Sequence, residues 1–349
     1  MKKTLLLLMG VLLLSGCIRQ ETTTETKITS SQGIGVLEYR AVVNQMLTDT
    51  FNYVVLSVRN NAGGSSAKNI RASLENVQPF RMYECNQEQN PSAERLAVCN
   101  QFFDDVGIPY RSHKVNQMLP NEELQFFWNI KAPPEEEIVN MQYSQVIYYT
   151  LDYDYVSTVT QTIVGISQEE YLERSQEGPV SITGQTITSP GEIRLESKTQ
   201  QPLIYSEGSP TPLEFMLQFD IKNIGSGIIK PGTDILVAVK KDALTNVITS
   251  EAEDLGWNKY GGNIGKTNDF DNAFPAIEFQ EITQSVREDM WLLEIDGDQL
   301  NQGSYSITLP MEFTTTDIYE PQKILTISAY ISYTYLKEGQ TTINVYPTD

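Results

Sequence analysis

Ile147-Tyr148-Tyr149-Thr150-Leu151-Asp152-Tyr153-Asp154-Tyr155 sets an apolar or aromatic side chain at every second position, and Ile327-Ser328-Ala329-Tyr330-Ile331-Ser332-Tyr333-Thr334-Tyr335 does the same. A period of two belongs to a β-strand with one buried face. Written one above the other without a gap, residues 147–165 and 327–345 pair Ile147 with Ile327, Tyr153 with Tyr333, Tyr155 with Tyr335, Thr162 with Thr342 and Ile163 with Ile343. The identities are few but the pattern is the same, so the chain carries an internal repeat. In each copy the strand is expected to turn and come back as a second strand.

The repeat extends upstream. Val54, Leu56 and Val58 alternate before Asn60-Asn61-Ala62-Gly63-Gly64, as Leu217, Phe219 and Ile221 alternate before Asn223-Ile224-Gly225-Ser226-Gly227. Both glycine-rich segments suit turns, and each leads into another strand-like run, Ala67 to Val77 and Asp234 to Val239. Leu124 to Ile130 and Tyr305 to Phe313 add a further strand to each copy. Short alternating strands between Asn, Gly and Pro turns, with no strand–helix alternation, predict an all-β chain. The expected plan is two tandem antiparallel Ig-like β-sandwiches, residues 34–167 and 180–349, each with its own core. Between them Gln168-Glu169-Glu170-Tyr171-Leu172-Glu173-Arg174 reads as a short polar helix ending at Gly178-Pro179, which makes 168–179 the linker.

Each sandwich carries an insertion. In the first, Asn90-Pro91 resembles a helix start, and Leu96, Cys99, Phe103 and Val106 recur at helical spacing. In the second, Asp254 to Ile282 is polar yet bears Trp257, Tyr260, Phe270 and Phe274. Long irregular segments on a β scaffold are where binding usually resides, so these four rings either line a ligand patch or fold back as a lid.

The segments LSVRNNAGGSSAKNIRASL (56–74) and LQFDIKNIGSGIIKPG (217–232) resemble the Asn-x-Gly strand-turn of the Ig-like, CARDB-type domains found in tandem on prokaryotic cell-surface proteins, archaeal ones included. The resemblance covers most of residues 35–166 and, with a large insertion, 180–346. It implies binding or spacing and not catalysis.

Residues 1–16 read as an export signal: Lys2 and Lys3, an apolar run from Leu5 to Leu14, and small residues before Cys17. The run is shorter than the ~20 residues of a spanning helix. Its ending, Leu14-Ser15-Gly16-Cys17, resembles the lipobox of prokaryotic lipoproteins, which implies a diacylglycerol on the Cys17 sulfur. Residues 17–33, rich in Thr, Ser and Glu without apolar periodicity, would then be a flexible lipidated stalk. Without Lys2 and Lys3 the mature chain has 23 basic against 45 acidic side chains, a net charge of −22. A surface this acidic repels nucleic acid. Outside the cytoplasm the two remaining cysteines, Cys85 and Cys99, are expected to form a disulfide.

The residues offer little catalytic chemistry. His113, the sole histidine, sits in a polar stretch with no nucleophile motif and reads as an exposed loop residue. Gly261 to Thr267, GGNIGKT, fails the phosphate-loop pattern because Tyr260 stands where the first glycine belongs. Asp269 with Asp271, and Asp296 with Asp298, set oxygen ligands two apart and could hold calcium, but neither follows the twelve-residue loop. No catalytic residue and no resident cofactor is assigned. The expected function is that of a membrane-tethered, extracytoplasmic, non-enzymatic surface protein whose partner is a protein or glycan. Two alternatives stand beside it: capture of carbohydrate or peptide by the 254–282 loop, and a carboxylate-dependent envelope hydrolase.

Overall fold

The computed structural model describes residues 33–61, 65–82, 112–138, 142–259 and 290–348. The first unit contributes β1 (Ile34–Ala41), β2 (Gln45–Leu47), β3 (Phe51–Asn60), β4 (Ala67–Glu75), β5 (Arg81–Met82), β6 (Ser112–Met118), β7 (Glu123–Lys131) and β8 (Tyr143–Ser167). Helix α1 (Gln168–Glu177) follows, capped by Ser167, whose hydroxyl accepts from the Glu170 amide. The second unit contributes β9 (Thr186–Thr188), β10 (Ile193–Ser197), β11 (Leu203–Tyr205), β12 (Leu213–Asn223), β13 (Ile228–Ile229), β14 (Asp234–Lys240), β15 (Thr245–Val247), α2 (Thr249–Asp254), β16 (Asn258–Lys259), β17 (Met290–Asp296), α3 (Gly297–Asn301), β18 (Ser304–Phe313) and β19 (Gln322–Tyr346).

The protein is an all-β, Ig-like β-sandwich, and its units follow one plan. Each has a four-stranded antiparallel sheet, β1-β3-β7-β5 in the first and β10-β12-β18-β15 in the second. That is the A-B-E-D order of an immunoglobulin-like sandwich. Facing these is a single eleven-stranded sheet in which β6-β4-β8 of the first unit matches β17-β14-β19 of the second. Ring contacts show the two layers meeting: Tyr39 of β1 lies 4.5 Å from Tyr149 of β8, and Tyr205 of β11 lies 5.4 Å from Phe313 of β18.

The two 25-residue strands β8 and β19 do not turn back. They pair with each other along their length, from Ile166↔Gln322 to Tyr143↔Val345. Beside β8, where a single Ig-like domain would place its last strand, stands the long strand of the other unit. The expected return strand fails because Lys337-Glu338-Gly339-Gln340, a turn-like sequence, is extended in the ladder. Gly339 lies opposite Tyr149, and a Cβ there would collide with the Tyr149 ring. The glycine makes room for an aromatic ring and does not serve a turn.

The units are also laced at both ends. β2 of the first unit pairs in parallel with the tail of β19, and β11 of the second pairs in parallel with the tail of β8. Apolar packing is accordingly continuous, from Leu56 and Trp128 through Tyr153 and Tyr333 to Phe219 and Phe313. The expectation of two separate cores does not hold, because alternation specifies a buried face but not the strand that pairs alongside it.

Repeat and register together fix a local two-fold axis. Residue 154 matches residue 334 in the repeat, and Asp154 and Thr334 also pair across the ladder, with the Thr334 hydroxyl donating to Asp154 Oδ1 at 2.7 Å. Tyr153 pairs with Tyr335 and Tyr155 with Tyr333, each the repeat counterpart of the other's partner. The chain has the internal symmetry of an isologous dimer.

Candidate functional site

Strand alternation sends Tyr153, Tyr155, Tyr333, Tyr335 and Lys337 to the inner face at this axis, where all five are buried. The rings of Tyr153 and Tyr335 lie 6.0 Å apart, those of Tyr155 and Tyr333 6.0 Å, and those of Tyr333 and Tyr335 6.1 Å. Glu192, at the entry to β10, is fully buried among them. Its carboxylate accepts from the Tyr153 hydroxyl, from the Ile34 amide at 3.0 Å and from the Tyr333 hydroxyl at 3.3 Å. Lys337 Nζ stands 3.2 Å from Glu192 Oε1 and also donates to the Ile34 carbonyl.

The turn asparagines complete the network. Asn223 Oδ1 accepts from the Tyr335 hydroxyl at 2.9 Å and from the Gly225 amide at 3.0 Å, while Asn223 Nδ2 donates to the Gly227 carbonyl at 2.8 Å. Its repeat counterpart Asn60 donates to the Ser65 carbonyl at 2.9 Å. The second Asn-x-Gly segment is thus a side-chain-braced turn. A Cβ on Gly225 would collide with Tyr335 and Glu192, so only glycine lets the loop close over this cluster.

Burial pushes the Tyr153 and Tyr333 hydroxyls well above the ordinary phenol range, and the Glu192 charge pushes them further. Tyr155 and Tyr335 rise for the same two reasons. Burial lowers the Lys337 ammonium, and the attraction of Glu192 opposes that shift. The phenols therefore stay protonated donors, and the charges face one another inside the molecule. The bonds of Glu192 and Lys337 hold β1, β8 and β19 to the entry of β10, and the Tyr335–Asn223 bond ties β19 to the end of β12.

Sequence-predicted sites fare differently. Trp257 is buried and its Nε1 donates to the Thr308 carbonyl of β18 at 2.7 Å, so this ring packs into the core. Tyr260, Phe270, Phe274, Asp269 and Asp271 lie outside the described residues, as do Cys17, Cys85 and Cys99. Asp296 caps α3 by accepting from the Asp298 amide at 3.0 Å, and both carboxylates are exposed. Among the described residues, no three His, Cys, Asp or Glu side chains gather as a metal site. His113 is not the exposed loop residue expected. It is buried on β6, with Nε2 2.9 Å from the Phe127 carbonyl and its ring 5.1 Å from that of Trp128, because SHKVNQM forms an edge strand over the core.

The Glu192–Lys337 pair escaped the sequence reading, although one signal pointed to it. Continuing the alternation of Ile331, Tyr333 and Tyr335 puts Lys337 on the buried face, and an inward lysine demands a carboxylate.

No protein-family model matches this chain, and no curated protein matches it in sequence. Among solved structures it is similar to the Enterococcus faecalis MSCRAMM ACE, described as binding its ligands by the collagen hug model. Identity there is 10%, covering 92% of this chain and 97% of that one, with a TM-score of 0.21. It is also similar to the collagen adhesin CNA from S. aureus, at 10% identity over 92% of this chain and 93% of that one, with a TM-score of 0.16.

Proposed function

We propose that this chain is a lipid-anchored, extracytoplasmic surface protein with a non-enzymatic binding or assembly role. In this reading it presents a stiff two-unit head on a stalk (17–33) attached through Cys17. The observation that carries the reading is the β8·β19 ladder: about 80 Å of continuous extended backbone, at ~3.3 Å per residue, shared by both units and locked by buried charge. Such a head suits holding a protein or glycan partner away from the membrane. Charges spent on joining strands do not serve a substrate, which argues against the hydrolase. Trp257, turned into the core, argues against a ring-lined capture loop.

Fractionation with in-cell cross-linking in the native host tests this. The intact chain should pellet with membranes, carry lipid by mass spectrometry and cross-link to a surface protein or glycan, while Cys17→Ser should be released to the soluble extracytoplasmic fraction. A wild-type chain without lipid, or a Cys17→Ser chain that still pellets, would refute the anchor. An intact, anchored head without any cross-linked partner would refute the binding role.

A further inference from the structure

The side chains at the local axis decide which copy each unit can pair with. Ile34 opens β1 opposite Asn60, as Ile193 opens β10 opposite Asn223. The carbonyl of Gly33 accepts from the Asn61 amide at 2.8 Å, as that of Glu192 accepts from the Ile224 amide at 2.8 Å. Position 33 is therefore the counterpart of 192, and the repeat makes Ser157 the counterpart of Lys337. A symmetric interface would carry the same residue in both members of each pair. Here neither pair matches.

The second unit supplies both charges, Glu192 and Lys337, and the first supplies Gly33 and Ser157. A side chain at Gly33, whose φ is +66°, would collide with the Glu192 carboxylate, so the glycine is the space the glutamate occupies. Ser157 Oγ lies 3.1 Å from the Tyr333 hydroxyl, which itself donates to Glu192. A longer side chain at 157 thus starts from within reach of the same carboxylate.

We propose that this axis is a knob-and-hole interface made for unlike copies, in which the Glu192 carboxylate of the second unit fills the space that the first unit leaves at Gly33 and the lysine paired with it has an uncharged counterpart, Ser157. Two second units about the same axis would force two carboxylates and two ammoniums into a space that holds one of each. Two first units would leave it unfilled. Like charge and empty volume are the features by which an interface rejects a wrong partner. The partner fitted by the long edge of β8 is therefore β19 of the same chain, and not a second copy of β8.

Thermal melting of three full-length variants, read with hydrogen exchange of the β8·β19 amides, tests this. Lys337→Ser strips Glu192 of its cation, and Ser157→Lys points two ammoniums at one carboxylate, so each should lower the melting temperature and the ladder's protection. The double variant Ser157→Lys/Lys337→Ser returns one lysine to the same carboxylate from the counterpart position. It should regain at least half of the melting temperature lost by Lys337→Ser. Losses that simply add in the double variant would overturn the proposal. If either single variant fails to fold, the double variant still decides, since it must fold with a protected ladder.

Discussion

Raising the pH removes the axis cluster's stabilisation in a calculable way. Tyr153, Tyr155, Tyr333 and Tyr335 are 0–2% exposed and all have raised hydroxyl pKa values, burial first and the Glu192 charge second. An unfolded tyrosine titrates near pH ~10. Between that value and the raised one the folded chain holds more protons than the unfolded chain, so stability falls as pH rises. At pH 11 each of the four disfavours the fold by about 1.4 kcal/mol, or ~6 kcal/mol together, comparable to the ~5–15 kcal/mol total stability of a typical domain. Lys337 works the other way, since its lowered pKa lets the folded chain give up a proton first, but it is one group against four. Urea titrations should give nearly constant stability from pH ~7 to ~9 and a loss at pH ~11 of which about 6 kcal/mol comes from these four, with the raised Tyr39, Tyr149, Tyr205 and Tyr330 hydroxyls adding to it. Tyr153→Phe/Tyr335→Phe should cut that loss by about 3 kcal/mol, because phenylalanine has no proton to lose. An equal loss in the variant and the wild type would show that these hydroxyls do not control alkaline stability.

Lys337→Met should cost about 3 kcal/mol in denaturant titration, because a buried pair broken on one side leaves its partner uncompensated, while Lys337→Met/Glu192→Leu should recover most of it. A double variant as weak as the single one would contradict that account. Gly339→Ala should destabilise by ~1–3 kcal/mol, since the added methyl meets the buried Tyr149 ring, and an unchanged melting temperature would show that the ring has room to move. Nonreducing peptide mapping of exported protein should find Cys85 linked to Cys99, and free thiols at both positions would rule the disulfide out.

Much of the architecture was written in local pattern. The alternations at Val54–Val58, Leu217–Ile221, Leu124–Ile130 and Tyr305–Phe313 became β3, β12, β7 and β18 because each buries one face, which a single sequence reveals. The polar helix after Ser167 was legible from its run of polar residues, 168–174, and its stop at Gly178-Pro179. His113 was misread because SHKVNQM is polar enough to resemble a loop, and its edge-strand pairing to Ala72 depends on β4, forty residues earlier. The turn expected after Tyr335 does not form, because local propensity cannot see that Lys337 meets Glu192 and Gly339 meets Tyr149 across the fold.

What no alternation could supply was the partner of the long strands. Residues 147–165 would satisfy their buried face equally well beside a return strand of their own unit or beside 327–345, and the burial term is the same in both cases. The choice is made by terms that act only at particular positions. Asp154 and Thr334 bond across the axis, Gly339 accepts the Tyr149 ring, and Lys337 finds its carboxylate in Glu192. A ladder slipped by two residues would keep every apolar side chain inward, yet it would set Tyr149 against Thr341 or Lys337 in place of the glycine and disturb the tyrosine pairs around Glu192. Alternation therefore explains why these segments are strands, and the polar and glycine exceptions within it explain why they are one another's neighbours.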